Sequence, residues 1–123
     1  LERLLASDAC IDQAVGYGDA RPFVSALIVP NFQNLCNKLG RSTDDLPRKG
    51  EILNCPEVQE FYAPRVETLM KQVSRPERVK MFLVLGRSLD PESDEVTTTL
   101  KVRRRHVIDK FETELVALYE EDN

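Results

Sequence analysis

The run Phe23-Val24-Ser25-Ala26-Leu27-Ile28-Val29, stopped by Pro30, is the stretch that most narrows the folds open to this chain. It is almost continuously apolar and has no alternation that would leave one face in water, so it reads as a central strand covered on both faces. A second run, Val79-Lys80-Met81-Phe82-Leu83-Val84-Leu85, is also strand-like and ends at Gly86. Ile11, Gln13 and Val15 alternate with Asp12 and Ala14 in a short strand over residues 11–15. The glycines of Gly16-Tyr17-Gly18-Asp19 then permit the tight turn of a hairpin with the central run. A sheet whose middle strand is buried on both sides needs helices to cover it.

Leu1, Leu4 and Leu5 lie at helical spacing until Ser7-Asp8 interrupts them. Asn31 is suited to cap a helix carrying Phe32, Leu35, Cys36 and Leu39, with Gly40 where a left-handed residue ends it. Residues 41–50 are polar and read as a surface loop. Asn54 and Pro56 open a second helix that buries Val58, Tyr62, Val66, Leu69 and Val73, and Pro64 is expected to bend it. The last helix presents Val107, Ile108, Phe111, Leu115 and Leu118 on one face, with Arg104 half-buried at its start. The fold class is α+β: a small three-stranded sheet covered by helices, forming a single domain over residues 1–123.

With 41% apolar and 31% charged residues the chain has the balance of a globular domain. Its net charge of -4 disfavours a general nucleic-acid-binding role. Cys10, Cys36 and Cys55 are widely spaced and the chain has one His, so neither a disulfide framework nor a metal site is indicated, and a reducing cytoplasm is the expected compartment. No apolar run approaches the roughly 18 residues of a membrane span. The chain opens on Leu1, already inside a helical pattern, which suggests that it was cut from something longer. Tyr17, Tyr62 and Tyr119 read as packing residues with satisfied hydroxyls, and His106 as a helix-surface residue.

The acidic series Asp90-Pro91-Glu92-Ser93-Asp94-Glu95, read as a flexible loop, leads into Val96-Thr97-Thr98-Thr99-Leu100-Lys101-Val102-Arg103-Arg104-Arg105. The hydroxyl residues suit a loop or a helix cap, and the cations then crowd a first helical turn. That is the wrong end for positive charge, at roughly 0.3 to 1 kcal/mol each. Backbone N–H groups, the hydroxyls of Thr97, Thr98 and Thr99, and Lys101 could together receive a phosphate or carboxylate. The plainer reading is a solvated basic face with Arg105 and Asp109 paired.

Asp12-Gln13-Ala14-Val15, the stretch Gly18-Asp19-Ala20-Arg21-Pro22-Phe23-Val24-Ser25-Ala26-Leu27-Ile28-Val29-Pro30 and the later series Val96 to Arg104 together resemble the C-terminal domain of AMP-forming long-chain fatty acyl-CoA synthetases. In the wider adenylate-forming superfamily the later motif usually carries Gly-Lys and then an Arg, here Lys101 and Arg104. Thr98 stands where long-chain members usually have Pro, and Leu100 where the superfamily often has Gly. The resemblance implies an enzyme that makes an acyl-adenylate from fatty acid and ATP, then replaces AMP with coenzyme A. This domain would be its rotating lid. Lys101 would be the catalytic group, bridging the fatty carboxylate and the α-phosphate. Arg104 would steady loop and helix from a packed position, Arg103 or Arg105 would meet phosphates in one of the two states, and Thr99 belongs to the loop that presents the lysine.

The partner implied is an N-terminal adenylate-binding domain of the same chain, which would supply the ligands of the Mg2+ that accompanies ATP. The isolated domain is expected to bind no ATP, coenzyme A or Mg2+ and to be inactive. The turn over residues 16–21 could line the coenzyme A path, although a plain hairpin turn explains it as well and is preferred. Peripheral membrane association of the full-length protein stays open. The rival readings are a nucleic-acid-binding module and a small-ligand-binding domain, each using the basic run over residues 101–105.

Overall fold

The computed structural model describes residues 2–18, 24–42, 45–46, 51–53, 55–74, 78–97 and 101–121. The elements are α1 (Glu2–Ala6), β1 (Ile11–Tyr17), β2 (Val24–Pro30), α2 (Phe32–Leu39), α3 (Pro56–Met70), β3 (Val79–Val84), a 3-10 turn (Pro91–Ser93) and α4 (Arg104–Glu121). The sheet has three strands in the order β1-β2-β3, antiparallel between β1 and β2 and parallel between β2 and β3. The apolar run is the middle strand, as its lack of alternation predicts.

Both faces of β2 are buried because successive side chains enter different cores. Ala26 and Ile28 join Leu5, Leu35, Val58, Tyr62, Val66 and Phe82 on the side of α2 and α3. Leu27 and Val29 join Val15, Leu83, Leu85, Val107, Phe111 and Leu115 on the side of α4.

Asn31 caps α2 by accepting the Asn34 N–H at 3.1 Å, and Gly40 ends it at φ 69°. α3 begins at Pro56 with Cys55 at its cap position and runs without interruption through Pro64. Asn54 lies outside the described residues. Of the apolar positions assigned to this helix, Val58, Tyr62 and Val66 are buried, Leu69 is partly buried and Val73 packs just beyond the end; Met70 is buried as well.

Three local expectations are corrected. β1 continues through Gly16 and Tyr17, which pair with Ala26 and Ser25, so Gly16 belongs to the strand and not to the turn. Residues 19–23 lie outside the described residues. Leu46, in the stretch read as surface loop, is buried in the core on the α2 and α3 side. The acidic stretch is an ordered turn in which the Asp90 carboxylate accepts the Glu92 N–H at 2.9 Å, Asp94 takes φ 60°, and Glu95 is buried.

Candidate functional site

The basic motif folds as a short hairpin followed by a helix. The Arg103 N–H donates to the Glu95 carbonyl at 2.9 Å, the Thr97 N–H to the Lys101 carbonyl at 2.8 Å, and Val96 and Val102 form an antiparallel bridge between them. The Lys101 N–H donates to the Thr97 Oγ1 at 3.0 Å. Thr97 therefore grips both backbone polar groups of Lys101. Val96 is buried and Val102 packs against the α4-side core, whereas Lys101 and Arg103 on either side of Val102 are exposed, as strand alternation requires. Among the described residues, neither Lys101, Arg103 nor Arg105 makes an ion pair, and Arg105 does not pair with Asp109. Thr99 lies outside the described residues, together with Thr98 and Leu100.

By sequence the threonines suit a loop or a helix cap, and the cations crowd the helix's first turn. α4 begins at Arg104, so Arg104 and Arg105 lie in that turn, whereas Lys101 and Arg103 stand before it. Arg103 marks the boundary, its carbonyl accepting the Val107 N–H at 3.1 Å. The physical reason is the bridge between Val96 and Val102: burying two β-branched side chains in an extended pair competes with an earlier helix start.

Arg104 was expected to be half-buried, but its side chain is 59% exposed. It is nevertheless anchored. Its Nη2 donates to the Gly16 carbonyl at 3.0 Å, and its Nε lies 3.3 Å from the Glu2 Oε2, which also accepts the Gly16 N–H at 2.6 Å. The ring Glu2, Gly16, Arg104 ties α1, β1 and α4 together. It also places a carboxylate beside a cation at the positive end of a helix, offsetting part of the penalty at this end.

The acidic stretch supplies a functional candidate that sequence reasoning missed. The Glu95 side chain is 1% exposed and takes a two-pronged contact from Arg87, Nη1 to Oε1 at 2.6 Å and Nη2 to Oε2 at 2.7 Å. Lys110 of α4 adds Nζ at 2.9 Å from Oε2, and the Asp90 N–H donates to Oε1 at 2.8 Å. The Arg87 contact is the main reason that the Glu95 carboxyl is held at about 2, far below its ordinary value, with Lys110 and the Asp90 amide adding to it against the opposing effect of burial. Arg87 is in turn held protonated by Glu95, lies 3.1 Å from a Glu51 oxygen, and stands over the Phe111 ring at 5.9 Å.

The two sequence motifs meet in space. A cleft of about 460 Å³ lies between the end of β1 and the first turns of α4, and its lining includes Gly16, Gly18, Arg104, Arg105 and the acidic Asp109. Arg104 is thus the site residue that the fold brings to the first motif, while Lys101 and Arg103 belong to the hairpin that precedes it. Among the described residues, no three or more His, Cys, Asp or Glu side chains are grouped so as to hold a metal ion, and no helix is long and apolar enough to cross a membrane.

No protein-family model matches the chain. In sequence it is 29% identical over 133 residues to the long-chain-fatty-acid–CoA ligase FadD15 of Mycobacterium tuberculosis, covering 99% of this chain and 20% of the ligase. It is 30% identical over 117 residues to the putative fatty-acid–CoA ligase fadD11 of the same species, covering 94% of this chain and 20% of that protein. The chain therefore spans about a fifth of the length of the curated relatives it matches.

In structure it resembles the A-PCP didomain of carboxylic acid reductase from Segniliparus rugosus, solved in complex with AMP, with a TM-score of 0.76 at 17% identity over 98% of this chain and 15% of that one. It also resembles the adenylation domain of the carboxylate reductase of Mycobacterium chelonae, with a TM-score of 0.71 at 20% identity over 97% of this chain and 17% of that one. By sequence, then, the chain is similar to a stretch of about one fifth of the length of fatty-acid–CoA ligases, and its three-stranded α+β fold is also found within the solved structures of two carboxylate reductases.

Proposed function

We propose that residues 1–123 act as the small C-terminal lid of an AMP-forming long-chain fatty acid–CoA ligase, with Lys101 serving the adenylation step. The observation that carries this reading is the presentation of Lys101: an exposed side chain on a backbone clamped by Thr97, in a chain related to fatty-acid–CoA ligases. A clamped backbone with an exposed ammonium suits a group that must reach into a site completed by another domain. There Lys101 would lie against both the fatty carboxylate and the α-phosphate of ATP, offsetting charge as the two anions approach.

Arg103, exposed two residues on, is the companion cation for phosphate. Arg104 acts through position, fixing α4 to β1, and Thr99 belongs to the segment that carries the lysine. Coenzyme A is the acceptor in the second step. The described residues offer no metal ligand set, so Mg2+ is assigned to the adenylate-binding domain and no step here runs through it. The whole enzyme is taken to work in the cytoplasm. A nucleic-acid-binding role is disfavoured by the net charge of -4 and by the engagement of Arg104 with Glu2 and Gly16.

The test is Lys101→Ala in the full-length ligase. Adenylate formation is expected to fall by several hundredfold, corresponding to a loss of about 3 to 4 kcal/mol of transition-state stabilisation. Thioester formation from supplied acyl-adenylate should persist. Equal loss of both half-reactions, or of neither, rejects the assignment.

A further inference from the structure

Ser25 and Glu95 are the buried polar residues among those described, and Glu95 is the one that carries charge. A buried ion pair is a poor source of net stability, since well-packed apolar groups of similar size often do as well. What such a pair does supply is a fixed geometry. Glu95 receives donors from two segments: Arg87 and the Asp90 amide in the connection that follows β3, and Lys110 in α4. Its own carbonyl takes the Arg103 N–H. Glu95 is therefore the root of the hairpin that ends in the bonds between Thr97 and Lys101.

A two-stranded hairpin has little stability of its own, so its direction depends on what holds its base. The apolar bridge of Val96 and Val102 fixes its depth in the core but does not by itself prevent rocking. The planar fork of Arg87 on both oxygens of Glu95 restricts that motion, because such a two-bond contact is directional.

We infer that Glu95 is a positioning residue for Lys101, its carboxylate fixing the hairpin against Arg87 and α4 so that the lysine ammonium meets the reacting anions in register. The inference rests on the adenylation role proposed for Lys101. Glu95 touches no substrate, and its effect passes through the two rungs between it and Lys101.

The experiment uses full-length ligase carrying Glu95→Gln, Lys101→Ala, both together, or Lys110→Met, with each half-reaction and the unfolding temperature measured separately. Glu95→Gln keeps the shape but weakens the contacts to Arg87 and Lys110. It is expected to slow adenylate formation by roughly ten- to a hundredfold, in line with the cost of a small misplacement of a catalytic group. Thioester formation from supplied acyl-adenylate should stay near its original rate. With Lys101→Ala already present, Glu95→Gln should cause no further loss in adenylation, because a positioning residue has nothing left to position.

A full additional loss in that background, an equal fall in both half-reactions, or no change in either overturns the inference. Should Glu95→Gln not fold, Lys110→Met decides the matter, since it leaves the Arg87 contact in place. Loss confined to adenylation supports the positioning role, and an undivided effect rejects it. If Lys101→Ala leaves adenylation unchanged, the lid assignment and this inference fall together. If Lys101→Ala abolishes adenylation while the Glu95 and Lys110 variants do not affect it, the inference alone fails.

Discussion

Removing a carboxylate from water costs several kcal/mol unless donors replace the lost hydration. At Glu95 the guanidinium of Arg87, the ammonium of Lys110 and the Asp90 amide do so, and they hold the acid at about 2 against an ordinary 4.5. Because the folded value lies below the unfolded one, the contribution to stability is complete above about pH 4.5. It disappears as pH falls toward 2, a difference worth roughly 3 kcal/mol. Urea unfolding across this range should show the stability of the native chain falling relative to that of Glu95→Gln, which has no proton to take up at this position; parallel curves would remove the carboxylate from the account. This residue was not legible in the sequence. It stands in a polar, acidic stretch, and its partners Arg87 and Lys110 are brought to it only by folding. Tyr62 and Tyr119, in contrast, were readable as packing residues with satisfied hydroxyls. The Tyr62 hydroxyl donates to the Cys10 carbonyl at 2.8 Å and that of Tyr119 to the Tyr17 carbonyl at 3.0 Å.

Among the elements, those defined by local rules were legible. α2 lies between an Asn that accepts an amide and a Gly at positive φ, both chemically determined by their neighbours in sequence. α4 starts at Arg104, where the apolar stripe of the last helix also placed it, but the extended pairing of Val102 with Val96 just before that start was not legible, because the two lie six residues apart and only the fold brings them together. The departure from helical geometry at Phe111, φ -107° and ψ 15°, was likewise absent from the periodicity. α3 makes a separate point. Pro64 lies inside it, yet the helix continues, and both Pro64 and Glu60, whose carbonyl loses its usual donor, are exposed. Water can hydrate that carbonyl, which reduces the penalty of an interior proline without removing it. Pro64→Ala restores the missing donor on a solvent face and should stabilise the chain by about 1 to 3 kcal/mol. A thermal scan should show a rise in Tm, and an unchanged or lower Tm would mean that the chain around residue 64 has already adapted to proline.

At the scale of the whole molecule, the sheet is shared by two cores, with β2 at its centre and β1 and β3 also sending side chains to both. Leu27 packs with α4 and Ile28 with α2 and α3, and both are 0% exposed. α4 is pinned at both ends, by Arg104 to Gly16 at its start and by the Tyr119 hydroxyl to the Tyr17 carbonyl and to Ser25 Oγ at 3.1 Å near its end. Neither layer can leave without stripping one face of the same strand, so the two cores should unfold as one unit. Leu27→Ala tests this from one side only. It should lower stability by about 2 to 5 kcal/mol, a large part of the 5 to 15 kcal/mol typical of a domain. Hydrogen exchange should then report lost protection in α3 amides as well as in α4 amides, although Leu27 belongs to the cluster on the α4 side. Loss confined to α4 would show that the layers melt separately. In that case the hairpin bearing Lys101, which is braced by Lys110 of α4, would be coupled to the fraying of one helix rather than to the stability of the sheet.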